Sequence, residues 1–252
     1  MEIKTVLITQ ARTGSTRLPG KVLMKVDGTP LLKIHLDRLS KSKLIDKIIV
    51  ATTINKEDDI IENLSLEWGY EVFRGSENDV LDRFYQAVKK LNPSWVVRVT
   101  SDCPLLDSIL IDKIIEITQT QDMDYGSNVF DETFPDGQDV EVFKFSALEK
   151  AWEEAIKPSE REHVTPYLRN NSNLKSGNLF SAVSYNNEIN YSKIRITVDE
   201  QRDFQLIHKI ILEIGADKSW QEYTSYIIDN NLLEINNNIV RNEGLLKSLN
   251  ND

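Results

Sequence analysis

Three short apolar runs, separated by helical patterns, constrain the fold of this chain most. The runs lie at residues 5–9 (TVLIT), 47–52 (KIIVAT) and 95–100 (WVVRVT). Nearly continuous apolar strands are typical of a parallel sheet that helices cover on both faces, and the segments between the runs have apolar residues at helical spacing. The sequence therefore predicts an α/β fold with a mainly parallel sheet.

The second half of the chain has a less regular pattern. Residues 139–145 alternate like a half-exposed strand, and residues 193–197 (KIRIT) are predicted to form another strand. Residues 170–192 are rich in Asn and Ser, as in a loop or a protruding arm. No stretch has the composition of a linker, so we expect a single domain over residues 1–252.

A cluster of cations follows the first apolar run. The segment ARTGSTRLPGK contains Arg12, Arg17 and Lys21, together with Gly14 and Ser15. Backbone N–H groups in such a loop can form an anion-binding nest, and the cations can add charge-assisted hydrogen bonds to phosphate oxygens. A triphosphate fits these groups, and the alternative is a solvated turn with scattered positive charge. The segment has neither the P-loop pattern nor the G-x-G-x-x-G pattern of a dinucleotide site.

The charge distribution narrows the possible partners. The net charge is −10, but residues 1–50 sum to +6 and the rest to −16. Such a distribution favours a local anion site over a generic nucleic-acid face. Cys103 is the only cysteine, which excludes a disulfide within the chain and is typical of a reducing compartment. Because no stretch resembles a secretory signal or a membrane span, we expect a cytoplasmic protein.

Seven motifs in collinear order resemble those of one enzyme family. They are QARTGSTRLPGKVL, VATT, VFRGSENDVLDRFYQA, VRVTSDCPLLD, PDGQDVEVF, PSEREHVTPY and ITVDEQRDF, which together span residues 5–210. The pattern resembles the sugar-acid cytidylyltransferases, which activate acylneuraminate or 3-deoxy-manno-octulosonate, and within them the spore-coat polysaccharide biosynthesis protein F branch. The resemblance implies a three-layer α/β/α fold like that of the nucleotide-diphospho-sugar transferases.

The resemblance also implies a reaction, in which CTP donates CMP to an acceptor oxygen and pyrophosphate leaves. Negative charge gathers at the α-phosphorus and on the pyrophosphate, so cations in the loop would stabilise the transition state. The catalytic residues implied are Arg12, Arg17, Lys21 and Asp102. The residues of the loop implied to bind the nucleotide are Ala11, Arg12, Gly14, Ser15, Arg17 and Lys21.

Two aspartates stand at the positions of the family's metal ligands. Asp102 follows the run at 95–100, and Asp199 follows residues 193–197. Mg²⁺ usually takes one or two carboxylates together with phosphate oxygens and waters, so the resemblance implies that both aspartates bind Mg²⁺. The alternatives are a turn cap before Pro104 for Asp102, and the N-cap of a helix that begins near Gln201 for Asp199.

Two further segments carry the nucleoside contacts that the resemblance implies. Asp82 and Arg83, at the start of a helical pattern, are candidates for contact with the ribose or the base. The alternative is a charge pair on the exposed face of an amphipathic helix. Thr52 and Thr53 end the second apolar run and are candidates for contact with cytosine, although small polar residues also simply end strands.

The candidate acceptor residues depart in part from those of the octulosonate enzymes. Arg98 and Thr100 stand where those enzymes carry asparagine and glutamine, which argues against octulosonate itself as the acceptor. Arg98 can meet an acidic group of the acceptor, and the alternative is an ion pair at the sheet edge. The sequence leaves open whether a carboxylate or metal-bound water takes the proton of the acceptor hydroxyl.

Two other stretches are shared with the branch and are assigned to acceptor binding. Their polar residues are Asp136, Asp139, Glu141, Arg161 and His163. The alternatives are the outward face of an alternating strand for Asp139 and Glu141, and a structural hydrogen bond for His163.

The motifs and the resemblance together predict a CTP-dependent, Mg²⁺-requiring enzyme that activates an acidic sugar for surface polysaccharide synthesis. The family resemblance further implies a homodimer, with residues 130–192 as a possible arm for acceptor binding and dimerisation. We expect no nucleic-acid or membrane partner. The alternatives are a nucleotidylyltransferase that joins another nucleotide to a sugar 1-phosphate, and a non-catalytic nucleotide-binding component of a glycan pathway.

Overall fold

A mixed sheet forms the centre of the computed structural model, which describes residues 3–249 and 252. The strands of this part of the chain are β1 (Thr5–Gln10), β2 (Lys25–Val26), β3 (Thr29–Pro30), β4 (Lys47–Thr53), β5 (Glu71–Gly75), β6 (Trp95–Thr100), β7 (Tyr125–Ser127), β8 (Glu141–Lys144) and β9 (Ala182–Ser184). Seven of them form the sheet in the order β5-β4-β1-β6-β8-β7-β9, and β2 and β3 form a separate ribbon. The helices are α1 (Leu31–Leu39), α2 (Asp59–Glu67), α3 (Val80–Val88), α4 (Ser108–Thr120), α5 (Phe145–Glu154), α6 (Pro158–His163), α7 (Pro166–Asn170), α8 (Gln201–Ile214), α9 (Trp220–Asp229) and α10 (Glu243–Leu249).

The central strand β1 pairs in parallel with β4 on one side and β6 on the other. Val6, Leu7 and Ile8 are fully buried, because helices cover both faces of the sheet at this point. The register sets Gln10 beside Thr100, so the segments that follow β1 and β6 start at the same sheet edge. The prediction of an α/β fold with a mainly parallel sheet is confirmed.

Helices pack on the two faces in separate apolar layers. One layer joins α1, α2 and α4 to the sheet, and the other joins α3, α5 and α7 to the opposite face. Burial of one large apolar side chain contributes about 1.5–3 kcal/mol, so each layer is a substantial source of stability. A third apolar cluster joins α8 and α9 to the strand β2 beyond the sheet. The implied three-layer α/β/α arrangement is therefore present.

One strand of the sheet runs against the others. β8 is antiparallel to both β6 and β7, and its register sets Glu141 opposite Arg98. β9 then pairs in parallel with β7 at the edge. Residues 130–192 thus supply two strands and three helices to the body of the fold, and their role as an arm stays a prediction.

The predicted strand at 193–197 is wrong. Only Arg195 in this segment forms a bridge, to Asp136. The backbone carbonyl of Asp136 accepts from Ile196 N over 2.7 Å, and Val198 N donates to the carbonyl of Asp102 over 2.8 Å. The segment is extended, but it pairs with loops because no sheet strand lies beside it.

Within the described residues, no helix combines the length and the hydropathy needed to cross a bilayer.

Candidate active site

Most of the predicted site residues surround one cavity of about 760 Å³, at the carboxyl ends of β1 and β6. Those that line it are Ala11, Arg12, Ser15, Arg17, Lys21, Arg83, Arg98, Thr100, Asp102, Asp136, Asp139, Arg161, His163 and Asp199. The other predicted residues, all in the described part of the chain, lie outside the lining: Gly14, Thr52, Thr53, Asp82 and Glu141. The fold therefore brings residues from most of the chain to one place.

The loop after β1 is anchored by an aspartate that the sequence analysis missed. Asp58 Oδ1 accepts hydrogen bonds from both the backbone N–H and the hydroxyl of Thr13, each 2.7 Å long. The same carboxylate accepts from the hydroxyl of Thr53, at the end of β4. The loop then folds back through Gly20, whose N–H donates to Thr13 O and whose φ is +69°. These bonds hold the backbone from which Arg17 and Lys21 extend.

Lys21 joins the two aspartates that were predicted to bind metal. Its ammonium donates to Asp102 Oδ2 over 3.0 Å and to Asp199 Oδ1 over 2.7 Å. Burial alone would lower the pKa of Lys21, but the two carboxylates outweigh it and the pKa is raised. Burial likewise opposes ionisation of Asp102, but the Lys21 charge and the hydrogen bonds from Thr100, Lys21 and Cys103 together outweigh it, so the pKa of Asp102 lies below its ordinary value. Lys21 and Asp102 are therefore both charged at neutral pH.

Asp199 is held by two arginines as well. Arg17 Nη2 lies 3.0 Å from Asp199 Oδ1, and Arg195 Nη2 donates to Asp199 Oδ2 over 2.8 Å. Arg195 also donates to both oxygens of Asp203 and to Asp136. Burial would lower the pKa of this guanidinium, but the surrounding carboxylates raise it. Arg195 is thus a buried residue that holds the Asp199 carboxylate in place.

The sequence did contain a signal for Arg195. Arg195 lies between Ile194 and Ile196 in the sequence. In the structure, residues 194–198 are all buried. A buried arginine requires carboxylate partners, so a charged residue between buried isoleucines points to an internal ion pair.

Helix α1 supports the loop that carries Asp102. His35 Nδ1 donates to the carbonyl of Cys103 over 2.9 Å, and Nε2 accepts from the hydroxyl of Thr9 over 2.9 Å. Arg38, one turn further along α1, donates to the carbonyls of Leu105 and Leu106. Complete burial lowers the pKa of His35 to about 4, so the ring is neutral and its two roles are fixed.

Two arginines line another wall of the cavity. Arg98 pairs with Glu141, which lies beneath the lining and holds the guanidinium in place. Burial would raise the pKa of Glu141, but the Arg98 charge, together with hydrogen bonds from Tyr125 and Thr165 and the Arg169 charge, outweighs burial and the pKa is lowered. Arg161 pairs with Asp79 over 2.6 Å at the start of α3. Each guanidinium of this wall is therefore paired with one carboxylate.

His163 lies in the same wall but presents little to the cavity. Its Nε2 atom is buried and has no hydrogen-bond partner in the described residues. Burial and the Arg98 charge lower the pKa of the imidazole, so it is neutral at physiological pH.

Three of the five residues outside the lining have structural partners. Asp82 accepts from the indole N–H of Trp152 over 2.8 Å and from the amide of Gln86. Thr53 is committed to Asp58, and Glu141 to Arg98. Among the nucleoside candidates, only Arg83 lines the cavity, and it donates to the carbonyl of Ser76 over 2.7 Å.

The C-terminal segment is a further part of the site that was not predicted from the sequence. Residues 242–245 and Lys247 line the cavity, and Arg241 lies directly behind them. Glu243 Oε2 accepts from Arg17 over 3.2 Å, and Arg241 donates to Asp139 Oδ1 over 2.8 Å. No apolar periodicity or glycine-rich pattern marks this Asn-rich segment, so nothing in the sequence connected it with the cationic loop.

The residues present fit a single Mg²⁺ ion. In residues 3–249 and 252, no group of three or more His, Cys, Asp and Glu side chains is arranged to hold a metal. Asp102 and Asp199 nevertheless already converge on one cation, the ammonium of Lys21. Two carboxylates completed by phosphate oxygens and waters match the usual coordination of Mg²⁺.

Comparisons with known proteins agree on one family. The family model described as Cytidylyltransferase matches residues 6–242. An uncharacterised protein of Methanocaldococcus jannaschii is 47% identical over 81% of this chain and 82% of its own length. The spore coat polysaccharide biosynthesis protein SpsF of Bacillus subtilis is 34% identical over 83% of this chain and 87% of its own. A cytidylyltransferase structure from Leptospira borgpetersenii superposes with a TM-score of 0.83 at 32% identity, and the match covers 96% of this chain and 98% of that one.

Proposed function

The chain belongs to the cytidylyltransferase family, and on that premise we propose that it transfers CMP from CTP to an acidic sugar, with release of pyrophosphate. The observation that carries this proposal is the ammonium of Lys21, which joins Asp102 and Asp199 directly beside the cationic loop. A nucleotidyl transfer needs these two kinds of group together, cations for the phosphates and carboxylates for a metal.

The cations of the loop would bind the triphosphate. Arg12 pairs with Glu77 over 3.1 Å, and Arg17 pairs with Asp199 and Glu243. These partners are carboxylates, whose place phosphate oxygens can take, and a guanidinium can bind two such oxygens at once. Arg12 and Arg17 would then hold the pyrophosphate portion as it departs.

Asp102 and Asp199 would hold Mg²⁺. When bound, the ion neutralises charge on the phosphate oxygens and polarises the phosphorus toward attack. The protein's own part is to orient both carboxylates, which Lys21 does for the pair and Arg195 does for Asp199.

The acceptor is proposed to be acidic because arginines line the wall opposite the loop. Arg98 and Arg161 each present a guanidinium there, and a carboxylate of the acceptor can pair with either one. The name of the Bacillus relative refers to spore coat polysaccharide synthesis, and we extend a role in surface polysaccharide synthesis to this chain. We also propose a homodimer to which residues 130–192 contribute, which light scattering of the full chain tests.

The experiment follows pyrophosphate release. The full chain is incubated with Mg²⁺ and CTP, UTP, GTP or ATP separately, each with 3-deoxy-manno-octulosonate, N-acetylneuraminate, further 2-keto-3-deoxy sugar acids, or sugar 1-phosphates. We expect release with CTP and one of the sugar acids. Preference for UTP, GTP or ATP with a sugar 1-phosphate would overturn the cytidyl assignment, and CTP binding without release in any combination would indicate a non-catalytic binding protein.

A further inference from the structure

We propose that Asp139 is the general base of this reaction, taking the proton of the acceptor hydroxyl as its oxygen attacks the α-phosphorus. The proposal rests on the function proposed above. Neither the sequence analysis nor the family comparison assigns a base, and the sequence left a carboxylate and metal-bound water as alternatives.

The position of Asp139 supports this role. Asp139 precedes the Arg98–Glu141 pair by two residues on the β8 side, and Thr100 follows it by two residues in β6. Asp102 follows two residues later, and both carboxylates line the cavity. Their charges also act on one group, because both raise the pKa of the Cys103 thiol after burial itself. Asp139 therefore lines the same cavity as the carboxylate proposed to hold the metal, and both act on Cys103.

The hydrogen bonds of Asp139 leave one oxygen available. Oδ1 accepts from Arg241 Nη2 over 2.8 Å, whereas Oδ2 accepts no hydrogen bond from the described part of the chain. The side chain is 30% exposed, and it faces the cavity. A hydroxyl of a bound acceptor can therefore reach Oδ2, while Arg241 keeps the carboxylate from rotating away.

Most other candidate bases at the cavity are already committed or covered. Asp102 and Asp199 share the Lys21 ammonium, and Asp136 is bound by Arg195. His163 is neutral, but its Nε2 atom is buried where a substrate hydroxyl cannot reach it. Glu162 also lines the cavity, and within the described residues only its Oε2 accepts a hydrogen bond, from the hydroxyl of Ser248. Asp139 is favoured over Glu162 because its charge acts on Cys103, the neighbour of Asp102 in the chain.

The surroundings of Asp139 also suit proton transfer. Burial raises its pKa, the Arg241 charge lowers it, and neighbouring carboxylates raise it further, so that the pKa is about 7. Those carboxylates are Asp136, Glu141 and Glu132, and the buried thiol of Cys103 is uncharged beside them. A base whose pKa lies near the working pH is strong enough to accept a proton and is still largely ionised.

The proposed step is balanced. The acceptor oxygen forms a bond to the α-phosphorus, and its proton passes to Asp139 Oδ2. The bond from the α-phosphorus to the bridging oxygen of the β-phosphate breaks, and its electron pair leaves with pyrophosphate. Asp139 then returns the proton to solvent before the next turnover.

The test compares Asp139→Asn with Asp131→Asn, an exposed aspartate outside the cavity lining. Turnover of Mg²⁺ and CTP is measured with the active sugar acid of the panel, or with water as acceptor if none reacts. We expect kcat of Asp139→Asn to fall by about 10²- to 10⁴-fold with little change in KM for CTP. Wild-type kcat rises with pH through about 7, as Asp139 ionises, and this rise disappears in Asp139→Asn.

A second variant separates the base from a structural role. Arg241→Gln removes the charge that lowers the pKa of Asp139, so the rise in kcat should move to higher pH while a plateau remains. CTP binding by calorimetry and the melting temperature show that each variant is folded. A rise through pH 7 that persists in Asp139→Asn, or a kcat within about threefold of wild type, would overturn the proposal. A wild-type chain that releases no pyrophosphate at all would instead overturn the proposed function, and this step with it.

Discussion

Arg17 donates a hydrogen bond over 3.2 Å to Glu243, a residue 226 positions later in the chain. This hydrogen bond joins the first turn of α10 to the cationic loop. At the other end of the helix, the hydroxyl of Ser248 donates to Glu162 on α6. The C-terminal helix thus lies between the loop and the wall that carries Arg161, and it begins just beyond residue 242, where the family match ends.

Glu243→Gln should strengthen nucleotide binding. The carboxylate lies where it repels a triphosphate that approaches Arg17, and a partly exposed ion pair of this kind contributes only about 0.2–1 kcal/mol. We expect the Kd of the full chain for CTP with Mg²⁺, measured by calorimetry, to fall by about two- to fivefold. Glu213→Gln removes a similar ion pair, with Lys209 on α8, and should leave the Kd unchanged. A weaker affinity in Glu243→Gln would show that Glu243 holds Arg17 in place for the nucleotide.

Asp102→Asn and Asp199→Asn should each abolish turnover in a folded protein. Either change removes one of the two charges that converge on Lys21 and, by proposal, on Mg²⁺. We expect pyrophosphate release to fall by at least about 10³-fold, since the metal and its charge stabilisation are lost. Asp229→Asn, at the exposed end of α9, is the matched control. Unchanged release from either site variant would show that the converging pair is structural.

His35 should make the folded state less stable in mild acid. Burial lowers its pKa to about 4, against about 6.5 in the unfolded chain. Between these values the unfolded chain binds a proton that the folded chain does not. The contribution of His35 to the free energy of unfolding is therefore complete above pH 6.5 and is lost as pH falls to 4. The free energy of unfolding falls by about 3 kcal/mol over this range. Urea unfolding measured from pH 4 to 8 should show it, and His35→Gln, less stable throughout, should have a shallower slope.

Gly137→Ala should disturb the turn between Asp136 and Asp139. Gly137 has φ of +108°, and an added Cβ would lie 2.8 Å from the backbone of Ile196 and Thr197. We expect the free energy of unfolding to fall by about 1–3 kcal/mol, because of the clash and the strained φ together. Gly69 has φ of +85° with open space around it, so Gly69→Ala measures the backbone strain alone. The free energy of unfolding of both variants is measured in urea. Equal decreases would show that residues 196–197 move to make room for the new methyl group without destabilising the protein.

The sheet could be predicted largely because its strands are buried on both faces. Residues 95–100 were predicted with the observed bounds, since most residues of this central strand are apolar. Residues 193–197 have a similar local pattern, but a strand also needs a neighbour with free backbone groups, and that depends on distant loops. The antiparallel direction of β8 could not be predicted from the sequence either. An alternating pattern indicates which residues of a strand are buried, but not the direction in which the strand runs.

The loop cations and the two aspartates were recognisable because each follows an apolar run of the sequence within a motif of the family. Thr52 and Thr53 also end a strand, yet both are fully buried, and Thr53 serves to bind Asp58. Arg241 and Glu243 reach the cavity from the far end of the chain through the packing of α8 and α9, which no local pattern encodes. Contacts that depend on long-range packing are therefore the part of the site that only the structure supplies.

Because Lys21 has one counter-charge at position 102 and another at 199, the neutrality of the cavity depends on how much of the chain has been synthesised. A polypeptide that stops between residues 145 and 181 would contain six of the seven strands of the sheet, but Arg17 and Lys21 would lack Asp199 and Glu243. In such a fragment Lys21 would keep Asp102 as its one carboxylate partner, and Arg17 would have neither of its partners until translation supplies them.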